Sequence, residues 1–579
     1  MSWLTLYKVT DMTASTLADG GPFRLRAEVL GAMPIIDAFL ARLGVGGLLE
    51  AFVPGDDGRV KLAPARALGV LVRNLVLHRE PVYALGEWAA PFDPSVLGLD
   101  VDQVHLLNDD RVGRALLSLF DADRASLLNR MVLGAVAEFS IDCSQLHNDS
   151  TSVKLTGVYP DATGSTRGSK PTVVAARGHS KDHRPDLKQL VFILTVTADG
   201  AVPVACRTTD GNTEDSTTHI ETWDALVELL GRSDFLYVAD SKLATRENMA
   251  HIVKNDGRFV SVLPASRKED GAFRRYLVDH EPTWTEALRR RRRLGEPDDV
   301  YETTEAPWPS AEGYRVVWVR SSAKCERDAE SRRSRIAAGI FALDLVNQRL
   351  LSPKTRMKTA VAIEQEATKV LEGSGAARWV TFTIEETTEV RHRQETRGRP
   401  GANTRYRKIE TTKHRIRFSV NEDVVADDAC SDGCWPLITC DRNLTGAEVL
   451  EVYKHQPSLE HRHAQLKGDQ LVAPMFLHDP ARIEGLMTCH FIALMVQALV
   501  ERQIRHAMAS ANLAELPLYP EGRGCSAPSA PRILEIFTGL ARQHLIGADG
   551  AVIQTFSPEL TKLQQIVLEL LGVPELSYR

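Results

Sequence analysis

Cysteine is scarce: eight residues in a chain of 579, with no C-x-x-C pair, exclude a disulfide framework and suit a reducing compartment. No apolar run reaches the roughly eighteen residues that a membrane span needs; the nearest is Phe491 to Val500. The Met-Ser-Trp-Leu start lacks a signal-peptide pattern, so a cytoplasmic protein with no membrane partner is expected. No Gly-rich phosphate-binding loop is present, which argues against a nucleotide cofactor. An excess of one charge sign is also lacking. Lys plus Arg number 70 against 76 Asp plus Glu, a net of -6, so any nucleic-acid site must be local.

What is there is the composition of an ordinary globular protein, 43% hydrophobic and 25% charged. The length suggests about three or four units. Local basic character is concentrated from Arg391 to Arg417, where ten Lys and Arg residues meet only Glu395 and Glu410, a net of +8. In a chain that is acidic overall, such a stretch calls for a counter-charge, and phosphate is the commonest one. A second run, Arg289 to Arg293, reads more simply as a solvated loop.

Residues 1–137 read as a helical domain. Apolar residues recur at helical spacing in Ile35-Ile36-Phe39-Leu40-Leu43 and Leu68-Val72-Leu75-Val76, with Pro64 suited to a first turn and Asn108 to an N-cap. The paired helices could read terminal DNA as a helix-turn-helix, serve dimerisation, or form a plain bundle, and no basic recognition helix stands out. From about residue 139 strands are expected at 144–148, 153–159, 189–197, 202–208 and 235–240, with Asp199-Gly200 as a hairpin turn and a helix over 217–230. Three meandering strands, a helix and a further strand make an α/β domain in the RNase H-like order. It spans 138–264 and resumes at 431–510, interrupted by a basic, β-rich insertion at 265–430. A helical tail, 511–579, closes the chain.

Two-metal phosphoryl transfer needs carboxylates converging from rigid elements. Asp149 follows an expected strand and precedes Ser150-Thr151-Ser152, small residues that leave room for metal and phosphate. Asp240 ends the strongest strand signal, although an aspartate there can equally cap the next helix. Thr445-x-x-Glu448 is a capping box. Beyond it Tyr453, Glu460 and Lys467 are spaced seven apart, so one continuous helix would carry them on one face. Pro457 must kink that helix or start a second one.

The block resembles the Tyr-(2)-Arg-(3)-Glu-(6)-Lys signature of the bacterial insertion-sequence transposases of DDE type, whose RNase H-like catalytic domain carries a β insertion. Gln456 stands at the arginine position. The stretch Gly178 to Phe192, GHSKDHRPDLKQLVF, also resembles one common in a branch of that family, and the likeness runs from about residue 25 to 545. The resemblance implies metal-dependent strand cleavage and strand transfer at transposon ends, with Asp149, Asp240 and Glu460 as the catalytic carboxylates holding Mg²⁺, for which Mn²⁺ would substitute. It implies double-stranded DNA partners, namely terminal inverted repeats and target DNA, and a homodimer in the DNA complex. Tyr453 and Lys467 match phosphate-holding positions, and Trp435 a position that can stack on a flipped base, although a strand tryptophan is more often core. Gln456 removes one phosphate-pairing cation, for which nearby Arg462 offers a substitute.

Smaller signals remain. Arg397-Gly-Arg-Pro400 is similar to the short hooks that enter an A·T-rich minor groove, and Arg405, Arg407 and Lys408 extend the same DNA-binding candidate. Cys430, Cys434 and Cys440 match no usual zinc spacing. His461 and His463 flank Glu460 and could touch a metal or simply fill a helix surface, while Asp142 and Asp234 are rival carboxylates. The competing readings of the whole chain are an RNase H-like nuclease that cuts without joining, and a non-catalytic or domesticated DNA-binding protein derived from a transposase.

Overall fold

The computed structural model describes residues 23–579 apart from 56–60, 78–79, 161–163, 294 and 353; the Met-Ser-Trp-Leu start lies outside the described residues. The fold is mixed α/β and divides into two units. The first comprises the chain up to Phe259 and again from Lys454, and the second is Val260–Tyr453.

The first unit opens with strand β1 (Phe23–Val29) and helices α1 (Met33–Arg42), α2 (Val45–Phe52), α3 (Pro64–Leu77), α4 (Leu85–Ala89), α5 (Asp109–Asp121) and α6 (Arg124–Phe139). Asn108 accepts from the Arg111 N–H as the N-cap of α5, as the sequence suggests. Asp123 caps α6 by accepting from the Ser126 N–H.

The sheet follows: β2 (Gln145–Leu155), the short pair β3 (Thr166–Arg167) and β4 (Lys170–Pro171), β5 (Lys188–Thr197), β6 (Pro203–Thr209), α7 (His219–Leu230), β7 (Leu236–Ala239) and α8 (Arg246–Lys254). Their spatial order is β6-β5-β2-β7. β5 runs antiparallel to both β6 and β2, and β7 runs parallel to β2. Leu190 to Val196 of β5 is an unbroken apolar run apart from Thr195, and all of it is buried, as expected of a strand covered on both faces. The next strand, β8 (Arg258–Val262), starts beside β7, with Arg258 donating to the Asp234 carbonyl at 2.7 Å.

Within the second unit β8 leads to α9 (Lys268–Asp279), β9 (Thr285–Arg290), β10 (Asp299–Glu305), β11 (Arg315–Ser321), α10 (Ser322–Leu350), α11 (Ala360–Ser374), β12 (Val380–Gln394), β13 (Tyr406–Val420), α12 (Glu422–Ala429), β14 (Cys434–Thr439) and α13 (Gly446–Tyr453). Strands β8-β14-β11-β10-β9 form an antiparallel array, and β12 and β13 form a separate ribbon. The expected insertion at 265–430 is therefore wider and contains as much helix as strand. The long α10 and α11 bury Leu343, Val346, Ile363 and Leu371 against Val380 and Ile416 at the base of the ribbon.

The chain re-enters the first unit through α14 (Gln456–Lys467) and α15 (Pro480–Ser510), then α16 (Ala530–Glu535), β15 (Ala541–Gly547), β16 (Val552–Phe556) and α17 (Lys562–Leu571). α15 is long and apolar enough to cross a membrane, but its apolar window is entirely buried; it packs against α3 and α5 as a core helix. Neither terminal region is purely helical, which corrects the expectation. β1 pairs antiparallel with β15 from Phe23↔Gly547 to Val29↔Ala541, and β16 pairs with β15. The alternation in Phe23-Arg24-Leu25-Arg26 is short and solvent-exposed, so its pairing depends on a strand more than five hundred residues away.

Candidate active site

β2 is one eleven-residue strand where two short ones are expected, and Asp149 sits in its middle rather than after it. The parallel register pairs Asn148 with Ala239, so the next residues, Asp149 on β2 and Asp240 just beyond β7, follow side by side. Adjacent strands lie about 4.8 Å apart, which brings the two carboxylates together where β7 ends beside the middle of β2. The rival carboxylates are elsewhere: Asp142 and Asp234 precede β2 and β7, where Asp142 accepts from the Ser144 N–H and Asp234 pairs with Arg232 at 2.7 Å.

Two charged groups not picked out from the sequence complete this cluster. Lys181 Nζ lies 2.9 Å from Asp149 Oδ1 and 3.6 Å from Asp215 Oδ2, and it donates to the Ser150 carbonyl at 2.6 Å. Asp215 in turn accepts from the Ser150 hydroxyl at 2.6 Å. Lys181 lies inside the recognised stretch Gly178–Phe192, so a signal existed; Asp215, in a run of Thr, Glu, Asp and Ser, had none. The Lys181 ammonium loses solvation by burial, yet Asp149, Asp215 and Asp240 outweigh that loss and raise its pKa. The Asp240 carboxyl is pushed above its usual range chiefly by burial, with Asp149 and Asp215 adding to the effect against a backbone hydrogen bond from Lys242. The floor is kept uncharged: burial lowers His463 and His219 to about 4, and His463 Nδ1 stands 3.7 Å from Asp149 Oδ2.

α13 ends at Tyr453 in the second unit and α14 begins at Gln456 in the first, with Pro457 in its first turn. The single continuous helix expected for Tyr453, Glu460 and Lys467 is thus two helices, because proline has no N–H for a helix interior and is at home at a start. On α14 itself, Gln456, Glu460, His463 and Lys467 follow the spacing 4, 3, 4 and share one stripe. Three of the four are fixed. Gln456 Oε1 is 2.9 Å from His147 Nδ1 and its amide donates to the Asn148 carbonyl, His463 faces Asp149, and Lys467 pairs with Asp182 at 2.7 Å. Glu460 stands between them, exposed, and among the described residues it makes no hydrogen bond or ion pair.

Gln456 is buried against β2, so at the family's arginine position this chain has a docking contact for α14. Arg462 is no DNA contact: it is 1% exposed and donates to Glu501 and Gln465, each at 2.7 Å, and to the Ala201 and Gly200 carbonyls, each at 2.9 Å. It lies on the far side of α14 from the Glu460 stripe and anchors that helix to α15. Trp435 is half-buried in β14 and packs edge-on against Tyr301, ring centres 6.3 Å apart. Arg397, Arg399, Arg405, Arg407 and Lys408 are exposed at the outer end of the β12–β13 ribbon. Cys430, Cys434 and Cys440 are free thiols.

No three His, Cys, Asp or Glu side chains are gathered as a ready metal site among the described residues. Asp149 and Asp215 present carboxylate oxygens to the Lys181 ammonium, Asp240 lies beside Asp149, and Glu460 is exposed on α14; carboxylate oxygens are the donor type that a hard divalent cation takes. No family model matches the chain, and no curated protein matches it.

Proposed function

We propose that the chain is a DDE-type DNA transposase that cuts and rejoins strands at the ends of a bacterial insertion sequence. The observation that carries this reading is the side-by-side placement of Asp149, on β2, and Asp240, just past the end of the parallel β7, with the Glu460 stripe of α14 docked on β2. The order β6-β5-β2-β7, antiparallel for the first three and parallel for the fourth, supports an RNase H-like catalytic domain, and the second unit corresponds to its insertion.

In this reading Asp149, Asp240 and Glu460 hold two Mg²⁺ ions, with Mn²⁺ as a substitute. Bound metal supplies neutralisation of the charge that develops on the attacking and leaving oxygens. The remaining work belongs to the chain. Asp149 and Asp240 are fixed by the sheet, so they need no rearrangement as phosphate enters. Lys181 bridges Asp149 and Asp215 and holds them together before metal arrives. Lys467, released from Asp182, and Tyr453 take phosphate oxygens, and Trp435 offers a stacking surface for a base. Water attacks a phosphodiester in line, forming a P–O bond as the P–O3′ bond breaks and leaving a 5′-phosphate and a 3′-hydroxyl that takes up the proton; that 3′-hydroxyl then attacks a target phosphodiester, forming a new O3′–P bond as the target's P–O3′ bond breaks and its 3′-oxygen leaves with the proton. The DNA is double-stranded, both transposon end and target, handled by a homodimer in the bacterial cytoplasm in association with the nucleoid.

Strand transfer separates this reading from a nuclease that only cuts. A labelled duplex carrying the inverted repeat that flanks the reading frame is incubated with the protein, Mg²⁺ and a supercoiled plasmid. Label joined covalently to plasmid supports a transposase; cut ends that never join point to the nuclease.

A further inference from the structure

Most charges along the β12–β13 ribbon are paired within it: Glu385 with Arg417, Glu389 with Arg391 and Lys413, and Glu410 with Lys408, while Glu386 stands beside His414 and Arg415 makes no ion pair among the described residues. In the other basic run Arg289 pairs with Glu286 and Arg292 with Glu296 and Glu326. At the outer end Arg393, Arg397, Arg399, Arg405 and Arg407 make no ion pair among the described residues, and all are exposed. The register also sets Arg393 directly opposite Arg407. Like charges facing each other across a ladder destabilise a ribbon. An isolated two-stranded ribbon is marginal to begin with, and here the apolar core stops at Ile384 and Ile416. A sequence that places cations where they oppose the fold calls for an anion from outside.

We infer that the outer end of the β12–β13 ribbon is a docking arm for duplex DNA that enters the major groove, with Arg393 and Arg407 on phosphates of the groove walls and Arg397, Arg399 and Arg405 extending the contact at its tip. Arg393 and Arg407 sit on the last rungs of the ladder and the other three on the turn between the strands, so the end of the ribbon is the part that meets the duplex. Two strands about 4.8 Å apart with their side chains match a groove about 12 Å wide, which admits a β-ribbon. A duplex presents phosphates on both sides of such a tip, matching arginines carried on both strands and on the turn between them. The inference rests on the proposed function only for the identity of that polyanion.

The test is fluorescence anisotropy of the full-length protein with a labelled 30-base-pair duplex in EDTA, so that no cutting chemistry is involved, over a range of salt. The Arg393→Thr/Arg407→Thr variant removes the cross-strand repulsion, so its thermal midpoint should equal or exceed that of the wild type, and loss of folding cannot explain weaker binding. Its affinity should fall roughly tenfold to a hundredfold at about 0.1 M salt, and its salt slope by about 2, near 0.9 per lost phosphate contact. Changing all five arginines to Gln should lower the slope by about 4. Unchanged affinity and slope in both variants would overturn the proposal. Displacement of the wild type by netropsin, a minor-groove ligand, would overturn the groove assignment, and equal affinity for a polyglutamate peptide would overturn the choice of DNA. A protein that fails to join strands but loses duplex binding in these variants sinks the transposase reading alone; one that joins strands but binds unchanged without the arginines sinks the arm alone.

Discussion

Arg462 and Glu501 meet at 2.7 Å with their side chains 1% and 0% exposed, tying α14 to α15 on the side away from Glu460. Burial lowers the pKa of Arg462, although Glu501 opposes this; Glu501 is held at about 2 because Arg462, together with its hydrogen-bond donors, outweighs the desolvation that would raise it. Removing one partner leaves the other charged and buried, which costs about 3–5 kcal/mol. Arg462→Ala should therefore lower the thermal midpoint markedly, and Arg462→Met/Glu501→Leu should recover much of the loss. A single variant as stable as the wild type would refute the anchoring role.

Gln456 is the second anchor. Gln456→Ala leaves His147 Nδ1 and the Asn148 carbonyl without their partner in a buried place, a loss of about 1–3 kcal/mol. Denaturant unfolding should register this, and strand cutting should fall as well because the Glu460 stripe loses its seat. Full stability in Gln456→Ala would contradict that docking.

How much of this was legible follows from where the information lies. The apolar run Leu190–Val196 and the Asp199-Gly200 turn mark the central hairpin, and the order of strands and carboxylates can be read from the chain because each is local. Arg462 is different: its neighbour His461 is exposed, and only the approach of Glu501 from a helix 39 residues on makes it structural. Lys181 and Asp215 likewise acquire meaning only when the folded sheet brings them to Asp149. The β1–β15 pairing could not be read because neither strand is strongly periodic over enough residues.

Lys181 occupies the centre of the carboxylate cluster as a built-in cation. Lys181→Met should lower the thermal midpoint of the metal-free protein, and millimolar Mg²⁺ should raise it by more than it raises the wild type, since the metal replaces the missing charge. Equal Mg²⁺ shifts in the two proteins, measured by thermal melts, would exclude this arrangement.

Asp240 supplies a pH dependence. Its folded pKa lies above the ordinary 3.8, so below 3.8 both states are protonated and no penalty arises, whereas above the folded value its ionised form costs stability. Asp240→Asn should then gain on the metal-free wild type as pH rises from about 4 to neutrality. A constant difference between the two melting curves over that range would rule out the raised pKa.

The most direct test is cleavage of a labelled duplex carrying the flanking inverted repeat, with Mg²⁺ or Mn²⁺, by the wild type and by Asp149→Ala, Asp240→Ala and Glu460→Ala. The account predicts metal-dependent cuts at the repeat boundary that disappear in all three variants while DNA binding persists. Cutting that survives the loss of any one of these carboxylates, or binding by the wild type with no cleavage in either metal, would contradict it.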